Sequence, residues 1–218
     1  MEGTVSSLSL EHFEQAVALL GGDAAGAADT HAQLISQWSE PGRRYHTLQH
    51  LEECLALADA WGAQLTQAEQ AMVVLALWFH DAVYDTHGAD NERVSAAWAR
   101  EDLGKLGVAP TDADRIAGLV LATEHSIPVP AGDYLTDLLL DIDLAILGAP
   151  AARFAEYEVQ VREEYGWVED AAYAAGRGKV LAHFREMAYR EPSTLYRTDA
   201  GRTLIAQARA NLGPRTDR

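Results

Sequence analysis

The segment that decides the fold is Ala71-Met-Val-Val-Leu-Ala-Leu-Trp-Phe79, an apolar run that ends at His80-Asp81. Thr66-Gln-Ala-Glu69, just before the run, has the capping-box pattern that opens helices. Because the following helix is apolar nearly all round, it is predicted to lie at the centre of a helical bundle. A buried ionised carboxylate is costly unless it has a partner, and a bound cation can provide one. His80-Asp81 is therefore the first candidate for a metal site.

Helical patterns continue on both sides of this run. Thr111-Asp-Ala-Asp114 has a second capping-box pattern, and the chain shows no convincing strand pair, repeat or linker. The sequence therefore predicts one all-α domain over residues 1–218, a bundle of about eight to ten helices. Besides the central helix, helical segments are expected at about 8–20, 29–38, 47–61, 91–106, 112–125, 135–147, 150–165, 169–188 and 199–212.

The partners of His80-Asp81 have to come from other segments, because adjacent helical residues project about 100° apart. Upstream, His46 and His50 are four residues apart and would share one face of a helix. In a helix over 47–61, His50 lies on the apolar side with Cys54, and His46 lies nearer the edge. His50 is the stronger candidate.

Downstream, two carboxylates occur in Leu138-Leu-Leu-Asp-Ile-Asp-Leu-Ala-Ile-Leu147. In a helix over 135–147, Asp143 falls near the middle of a broad apolar arc, and Asp141 falls roughly opposite. We therefore expect Asp143 to point inward and Asp141 to point toward solvent. The best metal-ligand constellation is then His50, His80, Asp81 and Asp143.

The length and composition are consistent with an ordinary soluble enzyme. The chain has 218 residues, 48% of them hydrophobic, and a formal net charge of -16 at pH 7. This acidity argues against nucleic-acid polymers and anionic membranes as partners. The one cysteine, Cys54, excludes an internal disulfide and is expected to be a buried packing thiol. With no signal-peptide pattern and no membrane-length apolar run, the expected compartment is the cytoplasm.

Several motifs together resemble the HD superfamily of metal-dependent phosphohydrolases, over roughly residues 35–212. The order of a histidine, then a His-Asp pair, then an aspartate on successive helices is the main likeness. A narrower likeness is to a group described as predicted HD phosphohydrolases. The motifs that carry it are Tyr45-His46-Thr-Leu-Gln-His50, Phe79-His-Asp-Ala-Val-Tyr-Asp85, Asn91-Glu92, Thr123-Glu-His125, Asp141-Ile-Asp-Leu-Ala-Ile-Leu-Gly148, Gly176-Arg177 and Ala208-Arg-Ala-Asn-Leu212.

The resemblance implies an HD-type bundle whose metal ligands match His50, His80, Asp81 and Asp143. It implies an enzyme in which metal-activated water hydrolyses a phosphoester or phosphoanhydride of a small molecule, most often a nucleotide. Two imidazoles and two carboxylates suit a divalent Mn, Co, Ni, Fe, Mg or Zn ion, and these side chains do not select among them.

The remaining candidate residues concern proton transfer and phosphate binding. Asp81 is assigned a catalytic role in addition to ligation. Some relatives have an assisting glutamate a few positions beyond the His-Asp pair, where this chain has Tyr84, so Glu92 is the nearest substitute. His125 can bind phosphate, donate a proton to the leaving group, join His87 at a second metal, or simply end a helix. Guanidinium groups suit phosphate best, and the candidates for substrate binding are Arg44, His46, Arg177 and Lys179, with Arg43 beside the first of them.

Two other functions remain open. Some HD proteins are di-iron oxygenases, which need two further histidines, and His87 and His125 are available by position. A non-catalytic nucleotide-binding HD protein is the third reading, although all four ligand positions carry ligating side chains. The oligomeric state is open, since the acidic segment 150–165 with its aromatic residues can be an interface or a lid.

Overall fold

The computed structural model describes residues 6–124 and 132–214, and these ranges contain helices and no strand. The predicted all-α fold is confirmed. By its contacts the chain divides into two compact units, Met1–Ala131 and Gly132–Arg218. The grouping of residues 1–218 into one domain stays a prediction. No helix in the described ranges is long and apolar enough to cross a membrane.

The first unit is built around the apolar run. Its central helix, α4 (Gln67–Phe79), packs against four others: α1 (Leu10–Leu19), α3 (Leu48–Trp61), α5 (Asn91–Lys105) and α6 (Pro110–Ala122). Residues 73–79 of α4 are all buried, so the predicted central position of this helix within its unit is confirmed. The α-helices of this unit are α1 (Leu10–Leu19), α2 (Ala28–Trp38), α3 (Leu48–Trp61), α4 (Gln67–Phe79), α5 (Asn91–Lys105) and α6 (Pro110–Ala122), with 3-10 turns at Ala24–Ala27 and Gly62–Gln64.

Of the two capping boxes predicted in this unit, one forms and the other does not. At α4 the capping box forms: the backbone N–H of Glu69 donates to the Thr66 hydroxyl, and the Glu69 carboxylate accepts from the Thr66 N–H. At α6 the box predicted at Thr111 was wrong. That helix begins at Pro110, with Ala109 as N-cap and no side-chain cap. Proline at the first position fixes a helical φ and needs no hydrogen-bond acceptor, so it starts the helix earlier.

The second unit contains shorter helices. The last predicted helix, 199–212, is split in two at Thr203 and Leu204, which explains why the described residues hold eleven α-helical segments instead of about eight to ten. The segments of this unit are α7 (Tyr134–Asp143), a 3-10 turn at Leu144–Gly148, α8 (Ala151–Glu164), α9 (Asp170–Tyr189), α10 (Asp199–Arg202) and α11 (Ile205–Leu212).

Candidate metal centre

The centre of the candidate site is the C-terminal end of α4. The helix ends at Phe79, His80 is its C-cap, and Asp81 lies in the turn that follows. His80 is 1% exposed, and its Nδ1 lies 2.8 Å from the carbonyl oxygen of Leu77. Because a carbonyl can only accept, Nδ1 carries the proton of the neutral ring. The lone pair is therefore on Nε2, which is the arrangement of a metal-binding histidine.

The second imidazole comes from α3, which packs against α4. His50 lies near the start of this helix, is 3% exposed, and its Nε2 lies 3.3 Å from Nε2 of His80. Thr47 caps α3 by accepting the N–H of Gln49, so the first turn that carries His50 is fixed locally. The predicted inward position of His50 is confirmed, as is the burial of Cys54.

The Asp81 carboxylate completes a cluster within the first unit. Its Oδ2 lies 3.2 Å from Nε2 of His80 and 3.9 Å from Nε2 of His50. Ligand atoms that share one ion at about 2.0–2.2 Å are separated by roughly 3.0–3.5 Å. Two of the three separations satisfy this, and the third needs only a small movement of the carboxylate. His50, His80 and Asp81 thus form a largely buried His/Asp group that can bind a metal ion.

Aromatic rings hold the two imidazoles in place. The Trp38 ring centroid lies 5.4 Å from that of His80, and the Tyr45 centroid lies 4.7 Å from that of His50. Trp38 is itself fixed, because its Nε1 donates to the carbonyl oxygen of Trp78 on α4 at 3.0 Å. Packing against these aromatic rings therefore sets the orientations of the two imidazoles.

Arg43 is a residue whose role the sequence did not show. It is 4% exposed, and its guanidinium donates to the carbonyl oxygens of Asp81 at 2.6 Å, Ala82 at 2.9 Å and His46 at 3.3 Å. It thereby ties the turn after α4 to the segment before α3. Buried carbonyl oxygens outside helices need donors, and an arginine next to the first histidine motif was the available signal.

His46 also lies at this cluster. It precedes α3 and so is not part of the helix, but its Nε2 lies 3.9 Å from Asp81 Oδ2. Its ring stacks on Tyr84 with a centroid separation of 3.9 Å. Tyr84 thus supports an imidazole. Arg44 is exposed, and its guanidinium donates to the carbonyl oxygens of Pro41 and Arg43.

The acid-base candidates are less well placed. Glu92 is half-buried in the first turn of α5, and within the described ranges its side chain makes no hydrogen bond or ion pair with His50, His80 or Asp81. His87 is exposed, and its backbone N–H donates to the Asp85 carboxylate. His125 lies outside the described residues.

In the second unit, the predicted solvent-facing position of Asp141 on α7 was wrong. Asp141 is fully buried, whereas Asp143, the last residue of the helix, is half-buried. The apolar arc itself is confirmed, since its leucines and isoleucines are buried. The face opposite this arc is covered by the segment that begins α10. Tertiary contact, not helical periodicity, decided the environment of Asp141.

The contacts of Asp141 explain its burial. The carboxylate accepts hydrogen bonds from the N–H of Arg197 at 2.9 Å, the N–H of Thr198 at 2.7 Å and the Thr198 hydroxyl at 2.7 Å. A side chain at Gly201 would collide with this carboxylate. Burial raises the pKa of Asp141 above 3.8, although the hydrogen bonds from Thr198 and Arg197 oppose that rise. Asp141 is a structural acceptor.

The substrate-binding candidates on α9 differ in exposure. Lys179 is exposed, whereas Arg177 is partly buried, forms an ion pair with Glu158 and lies over the Tyr157 ring at 4.8 Å. Burial raises the pKa of the Tyr157 hydroxyl, Arg177 opposes the rise, and the charges of Glu158 and Asp143 add to it. Within the second unit, Arg177 and Asp143 therefore act on the same hydroxyl group.

Comparisons of the chain with protein-family models, with curated proteins and with solved structures found no match. The HD resemblance stays a prediction from the sequence. The site has to be interpreted from its own residues.

Proposed function

We propose that this protein is a metal-dependent phosphohydrolase of the HD type that cleaves a phosphoester or phosphoanhydride of a small molecule, with nucleotides as the first class to test. The observation that carries the proposal is the convergence of His50 Nε2, His80 Nε2 and the Asp81 carboxylate in a largely buried position. These residues also stand in the order that the resemblance requires.

The donor set supports a divalent ion. The Leu77 carbonyl fixes the tautomer of His80, and Arg43 holds the backbone of Asp81. A divalent ion bound there would lower the pKa of a water molecule and polarise a phosphoryl oxygen. Mn²⁺, Co²⁺, Ni²⁺, Fe²⁺, Mg²⁺ and Zn²⁺ all fit imidazole and carboxylate ligands.

His46 and Arg44 are the residues of the first unit best placed for the substrate. His46 is 18% exposed at its side chain and lies beside the Asp81 carboxylate, so it can hydrogen-bond a phosphoryl oxygen or hold a proton near the reacting group. Arg44 is exposed and adjacent in sequence to the buried Arg43, and its guanidinium can bind phosphate oxygens through two N–H groups. Arg177 would have to exchange its pairing with Glu158 for phosphate.

Other parts of the predicted site belong to the same proposal. Asp143 is assigned as a further ligand, Glu92 and His125 as acid-base groups, and Lys179 as a phosphate-binding residue. The net charge of -16 favours a small phosphorylated substrate, whose charge local cations and the metal can offset, over a nucleic-acid polymer. The compartment proposed is the cytoplasm, and a homo-oligomer is compatible with the proposal.

The test is release of phosphate or pyrophosphate from a panel of nucleotides and small phosphoesters, with Mn²⁺ or Co²⁺ added. Wild type is compared with Asp81→Ala and with Asp90→Ala, a matched control because Asp90 is an exposed acid that makes no side-chain cap at α5. Turnover in wild type and the control, lost in Asp81→Ala, supports the proposal. Absence of turnover in a protein that has bound metal contradicts it, and oxygen uptake by an iron-loaded, coloured protein would identify the oxygenase alternative.

A further inference from the structure

The only cysteine of the chain lies against the two imidazoles. Cys54 is one helical turn beyond His50 on α3 and is 2% exposed. Its Sγ lies 3.6 Å from Nδ1 and 3.8 Å from Nε2 of His50. Donor atoms of His50, Cys54 and His80 all lie within 4.8 Å of one another, and all three residues are buried.

Two of the separations in this group are close to those that a tetrahedral ion imposes on its ligands. With metal–sulfur and metal–nitrogen bonds of about 2.3 and 2.0–2.1 Å, a sulfur and a nitrogen ligand lie roughly 3.6 Å apart, and two nitrogen ligands lie roughly 3.4 Å apart. The corresponding separations here are 3.8 Å between Cys54 Sγ and His50 Nε2, and 3.3 Å between the two Nε2 atoms. Because Sγ is nearly equidistant from Nδ1 and Nε2 of His50, it lies against the imidazole ring, and ligation of one ion through Nε2 requires a rotation of the Cys54 side chain or of the ring.

We propose that Cys54 gives the centre a second ligand set, His50, Cys54 and His80, which takes a thiophilic divalent ion such as Zn²⁺, Co²⁺ or Cd²⁺. The inference rests on the proposed metal site, because both ligand sets share the two histidines. A hard ion is held with the Asp81 carboxylate, and a softer ion recruits the thiolate. The site therefore distinguishes Zn²⁺ from Mg²⁺ or Mn²⁺ by Cys54.

When Cys54 binds the metal, the ion replaces the thiol proton. The thiol of Cys54 loses its proton to solvent as the sulfur–metal bond forms, with no change in oxidation state. A buried thiolate without a cation would be costly among apolar side chains, and the ion removes that cost.

The experiment is a Co²⁺ titration of the metal-free full chain, followed by absorbance. Co²⁺ reports imidazole ligation through its visible bands and thiolate ligation through a strong near-ultraviolet charge-transfer band. Because the chain has one cysteine, that band can arise only from Cys54. Wild type is expected to show both features, saturating together at one equivalent.

The variants separate the two ligand sets. Cys54→Ser and Cys54→Ala should lose the near-ultraviolet band and keep the visible bands, while Asp81→Asn keeps the near-ultraviolet band. In competition, Cys54→Ser should bind Zn²⁺ at least about tenfold more weakly, with Mn²⁺ affinity nearly unchanged. Circular dichroism checks that each variant is folded. If Cys54→Ser does not fold, Cys54→Ala provides the same test without a buried hydroxyl group.

The failure of this inference differs from the failure of the proposed function. Visible bands without the near-ultraviolet band in wild type would overturn the role of Cys54 and leave the His/Asp site in place. Absence of any Co²⁺ binding would overturn both. Metal binding through Cys54 in a protein that hydrolyses no phosphate would support this inference and contradict the phosphohydrolase.

Discussion

Asp81 and Asp141 look alike in the sequence and have opposite surroundings in the structure. Asp81 follows an apolar helical run, and Asp141 lies within one. The Asp81 carboxylate faces imidazole nitrogens, with His80 Nε2 at 3.2 Å. The Asp141 carboxylate faces the N–H groups of Arg197 and Thr198 and the hydroxyl of Thr198.

The difference shows what a buried carboxylate does and does not indicate. Burial requires hydrogen-bond donors or a cation, and backbone N–H groups are sufficient. At Asp141 those donors satisfy the charge, so no ion is needed. At Asp81 the lone pair of His80 and an anionic oxygen converge, and such an arrangement is unfavourable unless a proton or a cation lies between them. A metal site is indicated by converging lone pairs, not by a buried acid alone.

The largest expected effect comes from removing the carboxylate at the cluster. Asp81→Asn should weaken Mn²⁺ binding by about 100-fold or more, because an amide is a weaker ligand than a carboxylate. Isothermal titration calorimetry measures the affinity, with Asp90→Asn as the charge-matched control. Unchanged affinity in Asp81→Asn would remove the distinction between the two aspartates.

Next in size is the loss of the Arg43 guanidinium. Arg43→Lys replaces two terminal nitrogens that reach different carbonyl oxygens with a single nitrogen that cannot occupy both positions, so the free energy of unfolding should fall by about 2–3 kcal/mol. Metal affinity should fall about tenfold, because the Asp81 backbone is no longer held. Urea denaturation and calorimetry measure the two effects. Arg44→Lys is the control, and an equal loss of stability there would contradict the assigned role of Arg43.

Substitution of Asp141 should lower stability and leave metal affinity almost unchanged, whereas substitution of Asp81 should mainly lower metal affinity. Asp141→Asn presents an amide to buried donors, so the free energy of unfolding should fall by about 2 kcal/mol, while metal affinity per folded molecule stays within about twofold. Asp137→Asn on the same helix, which loses only the ion pair with Arg197, should cost less than about 1 kcal/mol. Loss of metal binding in folded Asp141→Asn would show that the structural role was misassigned.

Asp143 extends the comparison of metal-binding and structural aspartates, because the sequence predicts it as a ligand. Asp143→Asn should weaken metal binding about tenfold and leave the free energy of unfolding nearly unchanged. Titration calorimetry beside Asp141→Asn makes the two neighbouring aspartates each other's controls. An unchanged affinity would remove Asp143 from the ligand set and leave His50, His80 and Asp81.

The smallest effect is the pH dependence that Asp141 adds to stability. Its pKa is raised in the folded protein by burial, so above pH 3.8 the native chain keeps a proton that the unfolded chain releases. Stability from this group is therefore present at low pH and is lost as pH rises through the native pKa. The wild-type unfolding free energy should fall relative to Asp141→Asn by at most about 1.4 kcal/mol per pH unit. Urea denaturation at several pH values measures this difference. A rise in the unfolding free energy of wild type relative to Asp141→Asn as the pH increases would contradict the prediction.

The sequence predicted most of the fold, because helix formation leaves local signals. Periodicity predicted α3, α4, α5 and α9 to within about two residues, and the Thr66 capping box formed as expected. Where the local signals competed, the prediction failed: Pro110 started α6 before Thr111 could cap it. The inward position of His50 followed from its helical face, since the apolar neighbours of a helix are fixed by its repeat.

What the sequence determined by itself was the all-α class, the central apolar helix and the identity of His50, His80 and Asp81 as a possible metal group. Only the tertiary structure decided which acid on α7 is buried, because the donors for Asp141 come from Arg197 and Thr198, more than fifty residues away along the chain. It also decided that Arg43 is buried and that Cys54 adjoins the imidazoles. Periodicity gives the face of a helix on which a side chain lies, but packing between distant segments determines what that face meets.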